Sequence, residues 1–199
     1  VKFFHGGFVA VLIAIVILAV MFVWEQGNII RESAAQDVDL KDYIPQLAEL
    51  RNDKSLPLYQ TNVVFLVPDM AKGKVGRQFV YSILDKRPKR ARVYWFVHVE
   101  VTDEPYTKEY QIEMMETDFV VQVNLFLGFR VQQEINVYVR QIIHDLMKQG
   151  RLPKQPQTYS LTPGREVGDF QFILIDEVIS NVTTLSKWER QIMQAKLAI

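Results

Sequence analysis

FVAVLIAIVILAVMFVW, residues 8–24, is a run of 17 residues without a charge. Wound as a helix it rises about 26 Å. Phe3, Phe4, His5, Gly6 and Gly7 in front of it extend the rise to about 33 Å, which spans a hydrocarbon core of roughly 30 Å with little tilt. A dozen of its residues are Leu, Ile, Val or Phe. Together they favour insertion by about 4–7 kcal/mol. A cleaved signal peptide would have a shorter apolar core and a small-residue cleavage site, whereas this run ends in Met-Phe-Val-Trp-Glu. A buried helix of a soluble core rarely reaches this length without a polar residue. The run therefore reads as a transmembrane helix over residues 3–24, with the rest of the chain hung from it as a soluble domain.

Outside the span about 170 residues remain, enough for one domain with a single core. The chain has no cysteine and no formal net charge. Disulfides and thiol-metal sites are thereby excluded, and a general nucleic-acid binder is disfavoured. Absence of cysteine suits a cytosolic domain. Charge gives little orientation: Lys2 lies before the span, and Arg31 after it stands among Glu25 and Glu32. Asn181-Val182-Thr183 is a glycosylation triplet, usable only outside the cytosol.

Working outward, residues 25–60 are mostly polar and read as a connector with one or two short helices, Pro45 being tolerated in a first turn. Residues 61–199 read as the folded domain. Asn62 to Val67 is a continuous apolar run of the kind found in strands covered on both faces. Residues 68–76 form a glycine-containing loop, 77–85 a helix with Phe79, Val80, Ile83 and Leu84 on one face, and 93–101 a strand rich in β-branched and aromatic residues. Alternation over 109–113 and 119–129 predicts two antiparallel strands joined near Glu116-Thr117-Asp118. Residues 132–149 carry helical spacing closed by Gly150, 151–165 read as an exposed proline-rich loop, and 170–175 as a last strand. Ser186 with Glu189 is a capping box opening a final helix. The order predicts an α/β fold: one transmembrane helix, then a domain with a mixed β-sheet packed against helices.

His5-Gly6-Gly7 before the span, the strand Asn62 to Val67, and Ala91-Arg92-Val93 leading to Asp103-Glu104-Pro105-Tyr106 with its following hairpin resemble the C-terminal end of the KUP (HAK/KT) potassium uptake permeases. The resemblance covers nearly the whole chain. It implies a multi-pass cell-membrane protein importing potassium, with protons as the coupling ion, and a cytosolic C-terminal domain that is often dimeric. Ion pathways need polar or ionisable groups from several spans. This chain offers one span with only His5 near its edge, so it is expected to be part of a larger protein; the Val-Lys opening points the same way. A single-span nucleotide sensor and a purely structural assembly domain are the alternatives.

Two stretches could bind a ligand. The loop 68–76 stands between a strand and a helix, with Lys72, Gly73, Lys74, Gly76 and Arg77 supplying backbone access and charge for a phosphate. Its spacing is no Walker or dinucleotide fingerprint, and a flexible surface loop is the plain alternative. Residues 86–92, KRPKRAR, hold five cations in seven positions. They can meet anionic lipid, a nucleotide phosphate, or only solvent. The family resemblance implies cyclic di-AMP as a regulatory ligand; its phosphates call for Arg and its adenines for aromatic or Arg planes, which makes Arg77, Arg87, Arg90 and Arg92 the candidates to hold it. His98 and His144 lack metal-ligand spacing and read as packing or surface residues. Asp176-Glu177 ends a strand, but no nucleophile, metal cluster or cofactor motif accompanies it, so neither an enzyme nor a cofactor is expected. The hairpin 109–129 exposes an edge suited to a homodimer contact.

Overall fold

The computed structural model describes residues 7–34, 37–70, 73–155, 166–175 and 186–198. It divides into two compact units, residues 1–36 with 177–199 and residues 37–176.

The first unit is built on helix α1, Gly7–Ala34. Within it Phe8–Ile29 is long and apolar enough to cross a membrane, with mean hydropathy 2.8. Its large side chains point into open space: Ile15 is 60% and Leu18 63% exposed. The helix runs past Trp24, where the apolar run ends, because a second helix supports it. That helix, α5 (Lys187–Ala198), crosses at Gly27, which is buried. A Cβ there would stand 2.5 Å from Lys196 Cδ. The Lys196 ammonium lies 5.0 Å from the Trp24 ring centroid and donates to Asn28 Oδ1. Packing of this kind holds a helix that Gly and Asn alone would weaken. The capping box forms as expected: Ser186 N donates to Glu189 Oε2 at 2.7 Å and Glu189 N to Ser186 Oγ at 3.3 Å.

The second unit begins with β1 (Asp37–Asp39), a 3-10 turn (Leu40–Tyr43) and α2 (Ile44–Asn52), with Pro45 in the first turn of α2. Then follow β2 (Gln60–Leu66), β3 (Lys74–Gly76), α3 (Arg77–Leu84), β4 (Ala91–Thr102), β5 (Lys108–Glu113), β6 (Val120–Gly128), α4 (Ile135–Lys148) and β7 (Phe170–Leu174). Five strands form one mixed sheet in the order β5-β6-β4-β2-β7, parallel except for the antiparallel β5–β6 hairpin. This is the mixed-sheet α/β class that the sequence predicts. The β1–β3 ribbon is an addition: a three-residue Asp-Val-Asp strand carries no sequence signal.

Alternation sends the central strands to two cores. Val63, Phe65, Tyr94 and Phe96 pack with Leu47, Phe79 and Ile83 of α2 and α3. Val64, Trp95, Val97, Val121 and Val123 pack with Val139, Ile142, Ile143 and Leu146 of α4. The sheet is thus covered on both faces, which is why β2 and β4 read as nearly unbroken apolar runs. The segment after α4 departs from expectation: Leu152 and Gln155 are buried. The rest of that proline-rich stretch, residues 156–165, lies outside the described residues. Gln155 belongs to a closed polar network. Asn62 Nδ2 donates to Gln155 Oε1 at 2.7 Å, while Asn62 Oδ1 accepts from Trp95 Nε1 at 3.0 Å and from Gln155 Nε2 at 2.9 Å. Gly168 N also donates to Gln155 Oε1, at 2.9 Å. A paired network of this sort fixes loop and strand without leaving a buried orphan.

Candidate functional site

The loop after β2 passes through Pro68, Asp69 and Met70 to Gly73, then into β3 and the first turn of α3. It stands at the carboxyl ends of β2 and β7. The connection from β2 leads to β4 on one side of it, and β7, reached after β6, lies on the other side. Ligands in open α/β sheets bind at such switch points. Gly73 adopts φ 80, and its carbonyl accepts from Leu40 N at 3.2 Å. Lys74 and Gly76 pair with Asp39 and Asp37 in the ribbon, so acidic residues stand beside the basic ones. Gly76 caps α3 without a side-chain bond, and the Gln78 amide occupies the place of its Cβ, 2.5 Å away. Lys72 and Asp176-Glu177 fall outside the described residues.

The basic turn after α3 separates into two kinds of cation. The Lys89 ammonium donates to the Ser82 carbonyl, to Ser82 Oγ at 3.2 Å and to the Lys86 carbonyl at 3.0 Å. It satisfies carbonyls at the end of α3, where a positive charge is favoured. Burial, and then the charges of Lys86 and Arg87, lower its pKa. Arg90 is equally engaged: its Nε donates to the Arg51 carbonyl at 3.1 Å and its Nη1 to the Leu56 carbonyl at 3.0 Å. The Tyr94 hydroxyl accepts from Ala91 N at 3.1 Å and donates to the Lys89 carbonyl at 2.9 Å. Burial pushes its pKa up to about 12. Lys89, Arg90 and Tyr94 therefore hold the turn. Lys86, Arg87 and Arg92 are exposed. Arg87 sits at φ 60, a left-handed conformation that glycine or asparagine usually takes near a helix end. Arg77 opens α3, whose eight residues rise about 12 Å, and Arg87 stands in the turn beyond its other end, so the four arginines do not form one cluster.

A groove of 570 Å³ opens between α2 and α3. Leu50, Val80 and Leu84 line it, and Glu49, Asp53, Asp85 and Arg77 bring charge to it. Hydrogen bonds from the Ser55 side chain and backbone, helped by the Arg90 charge, hold the Asp53 carboxyl below its usual pKa. Sequence reading missed this groove, because its walls come from two helices about thirty residues apart. The period of each helix marks its buried face but not the space between them.

Neither described histidine outside the span region gathers a metal set. His98 Nδ1 lies 3.2 Å from the Val67 carbonyl oxygen. His144 stands 3.4 Å from Glu166 and 3.7 Å from Asp145. Among the described residues no three His, Asp or Glu side chains gather around a common point. β5 and β7 are the outer strands of the sheet.

A family model described as K+ potassium transporter C-terminal domain matches residues 60–196. The chain is 66% identical over 198 residues to an Enterococcus faecalis protein named "Probable potassium transport system protein Kup". It is 55% identical over 199 residues to a protein of the same name from Streptococcus pyogenes serotype M18. In both cases all of this chain is matched, and it spans 30% of the relative's length. No solved structure matches the chain.

Proposed function

The chain belongs to the K+ potassium transporter C-terminal domain family, and from that premise we propose that it is the C-terminal portion of a potassium uptake transporter. The observation that carries this reading is one span-length helix with exposed apolar sides, on the same chain as an α/β unit that covers its own sheet on both faces. In this reading α1 is the last of several spans of a cell-membrane protein, and residues after about 25 are cytosolic. Potassium and protons move through the preceding spans, since α1 brings no ionisable group between Phe8 and Trp24. The α/β unit serves dimerisation and regulation. Its outer strand β5, with five of its six residues exposed, supports pairing with a second copy. The loop at Gly73 and the exposed Arg87 and Arg92 support an anionic ligand such as cyclic di-AMP, while Arg77, at the other end of α3, stands apart from them. A second reading, assembly without a ligand, draws on the structural engagement of Lys89 and Arg90 and on Asp37 and Asp39 beside the loop.

The test is potassium uptake by the full-length transporter in cells deprived of their own uptake systems, with and without raised cyclic di-AMP. Uptake that depends on residues 37–199, and that the dinucleotide lowers unless Arg87→Ala and Arg92→Ala are present, supports the regulatory reading. Uptake indifferent to the dinucleotide leaves assembly as the role. No uptake from a well-expressed protein contradicts transport.

A further inference from the structure

We propose that the groove between α2 and α3 seats a lysine- or arginine-bearing loop from the membrane portion of the same polypeptide. This rests on the transporter reading above and adds a contact through which the α/β unit and the spans constrain one another. The groove offers two kinds of surface. Leu50 and Val80, which are 8% and 2% exposed, and the half-buried Leu84 form an apolar floor. Carboxylates Glu49 and Asp85 stand on opposite walls, neither with an ion pair among the described residues, and with Asp53 they outnumber Arg77, the one cation of the lining. Asp53 is already committed to Ser55.

An apolar stem ending in a cation matches that surface: its methylenes lie on the leucines and valine while its head reaches the two carboxylates. Tyr81, 54% exposed, adds a ring face at the rim. Short cytosolic loops between spans are the part of a membrane protein in which Lys and Arg are concentrated. The relatives supply the room for them, since this chain accounts for 30% of their length. The other source of cations is the turn Lys86-Arg87 of a second copy, and the test separates the two.

The chain contains no cysteine, so a single cysteine at Glu49 or Asp85 of the full-length transporter, made cysteine-free elsewhere, reports on contacts directly. Paired with single cysteines placed beside each Lys or Arg of the cytosolic loops, it is expected to cross-link within one polypeptide for one loop. A second measurement titrates the 199-residue chain in detergent with the amidated peptide Lys-Leu-Arg-Lys-Leu, and with Glu-Leu-Glu-Glu-Leu as control. Binding of the basic peptide is expected to fall about tenfold or more in Glu49→Lys/Asp85→Lys and in high salt. Glu49→Gln/Asp85→Asn, which keeps the shape, should show the same direction of change, with an unaltered thermal transition excluding loss of fold. Equal binding of both peptides, or cross-links that form only between two copies through Arg87→Cys, overturns the proposal. Either result leaves potassium uptake untouched as a separate question: a transporter that imports potassium but fails both measurements refutes the groove and not the function.

Discussion

Helix α1 and strands β2 and β4 are composed of much the same residues, yet they meet opposite surroundings. Val63, Val64 and Phe65 in β2 and Trp95 and Phe96 in β4 are fully buried by α2, α3 and α4. Ile13, Ile15, Ile17 and Leu18 in α1 are all more than half exposed. The α/β unit covers the first set itself, whereas the second stands uncovered among the described residues, at a length that matches a hydrocarbon core. Apolar runs are thus not one signal. An uninterrupted run of six or seven residues between turn residues belongs to a doubly covered strand, and one of seventeen has the length of a membrane span.

The largest test of the contrast is a matched pair of truncations. Trp95→Ala should lower the unfolding free energy of the α/β unit by about 3–5 kcal/mol in urea titrations of the detergent-solubilised chain. It empties the core above α4 and strips Asn62 of a donor. Ile15→Ala should leave that transition unmoved; an equal loss would mean that protein, not lipid, covers α1. Ile15→Arg reverses the roles. It should oppose insertion by about 2.5–3.5 kcal/mol, read as the inserted fraction in a translocation assay, with no change in the urea transition.

Gly128→Ala probes the sheet's far end, where a Cβ would stand 2.4 Å from the Glu104 carbonyl oxygen and 2.6 Å from that of Pro105. Backbone cannot yield as a side-chain tip can, so a loss of about 1–3 kcal/mol is expected. A similar magnitude comes from pH. Tyr94 has its folded pKa raised from 10.0 to about 12 by burial. Its contribution is therefore present below pH 10 and is lost as pH rises through 10 to 12, about 3 kcal/mol in all. The difference in urea midpoint between the parent chain and Tyr94→Phe should shrink over that interval. A constant difference would show that the phenol is solvated.

The smallest effects separate the cations. Arg90→Ala, which leaves the Arg51 and Leu56 carbonyls without their donor, should destabilise by about 1–2 kcal/mol. Arg87→Gly should stabilise by about 0.5–1 kcal/mol, because glycine accepts the left-handed conformation. Loss of stability in both would make the whole turn structural.

Much of this was legible in the sequence, because long apolar patterns report burial directly. The long apolar helix, β2, β4, the β5–β6 hairpin, α3, α4 and the Ser186–Glu189 cap follow from period and spacing. The β1–β3 ribbon, the continuation of α1 to Ala34 and the buried Gln155 do not. Each depends on a partner distant in sequence: β3 for Asp37–Asp39, Lys196 for Gly27, and Asn62 for Gln155. The candidate site was legible only as composition. Five cations in residues 86–92 announce charge, but nothing in their order tells that Lys89 and Arg90 are turned onto carbonyls while Arg87 and Arg92 remain exposed.

The most direct test of the membrane-anchored, cytosolic reading is labelling of Lys86→Cys, an exposed position in a protein with no native cysteine. In intact cells an impermeant maleimide should leave it unmodified. It should be modified fully once the membrane is opened, while the protein stays in the membrane pellet after alkaline carbonate. Labelling in intact cells, or release of the chain by carbonate, would contradict the account.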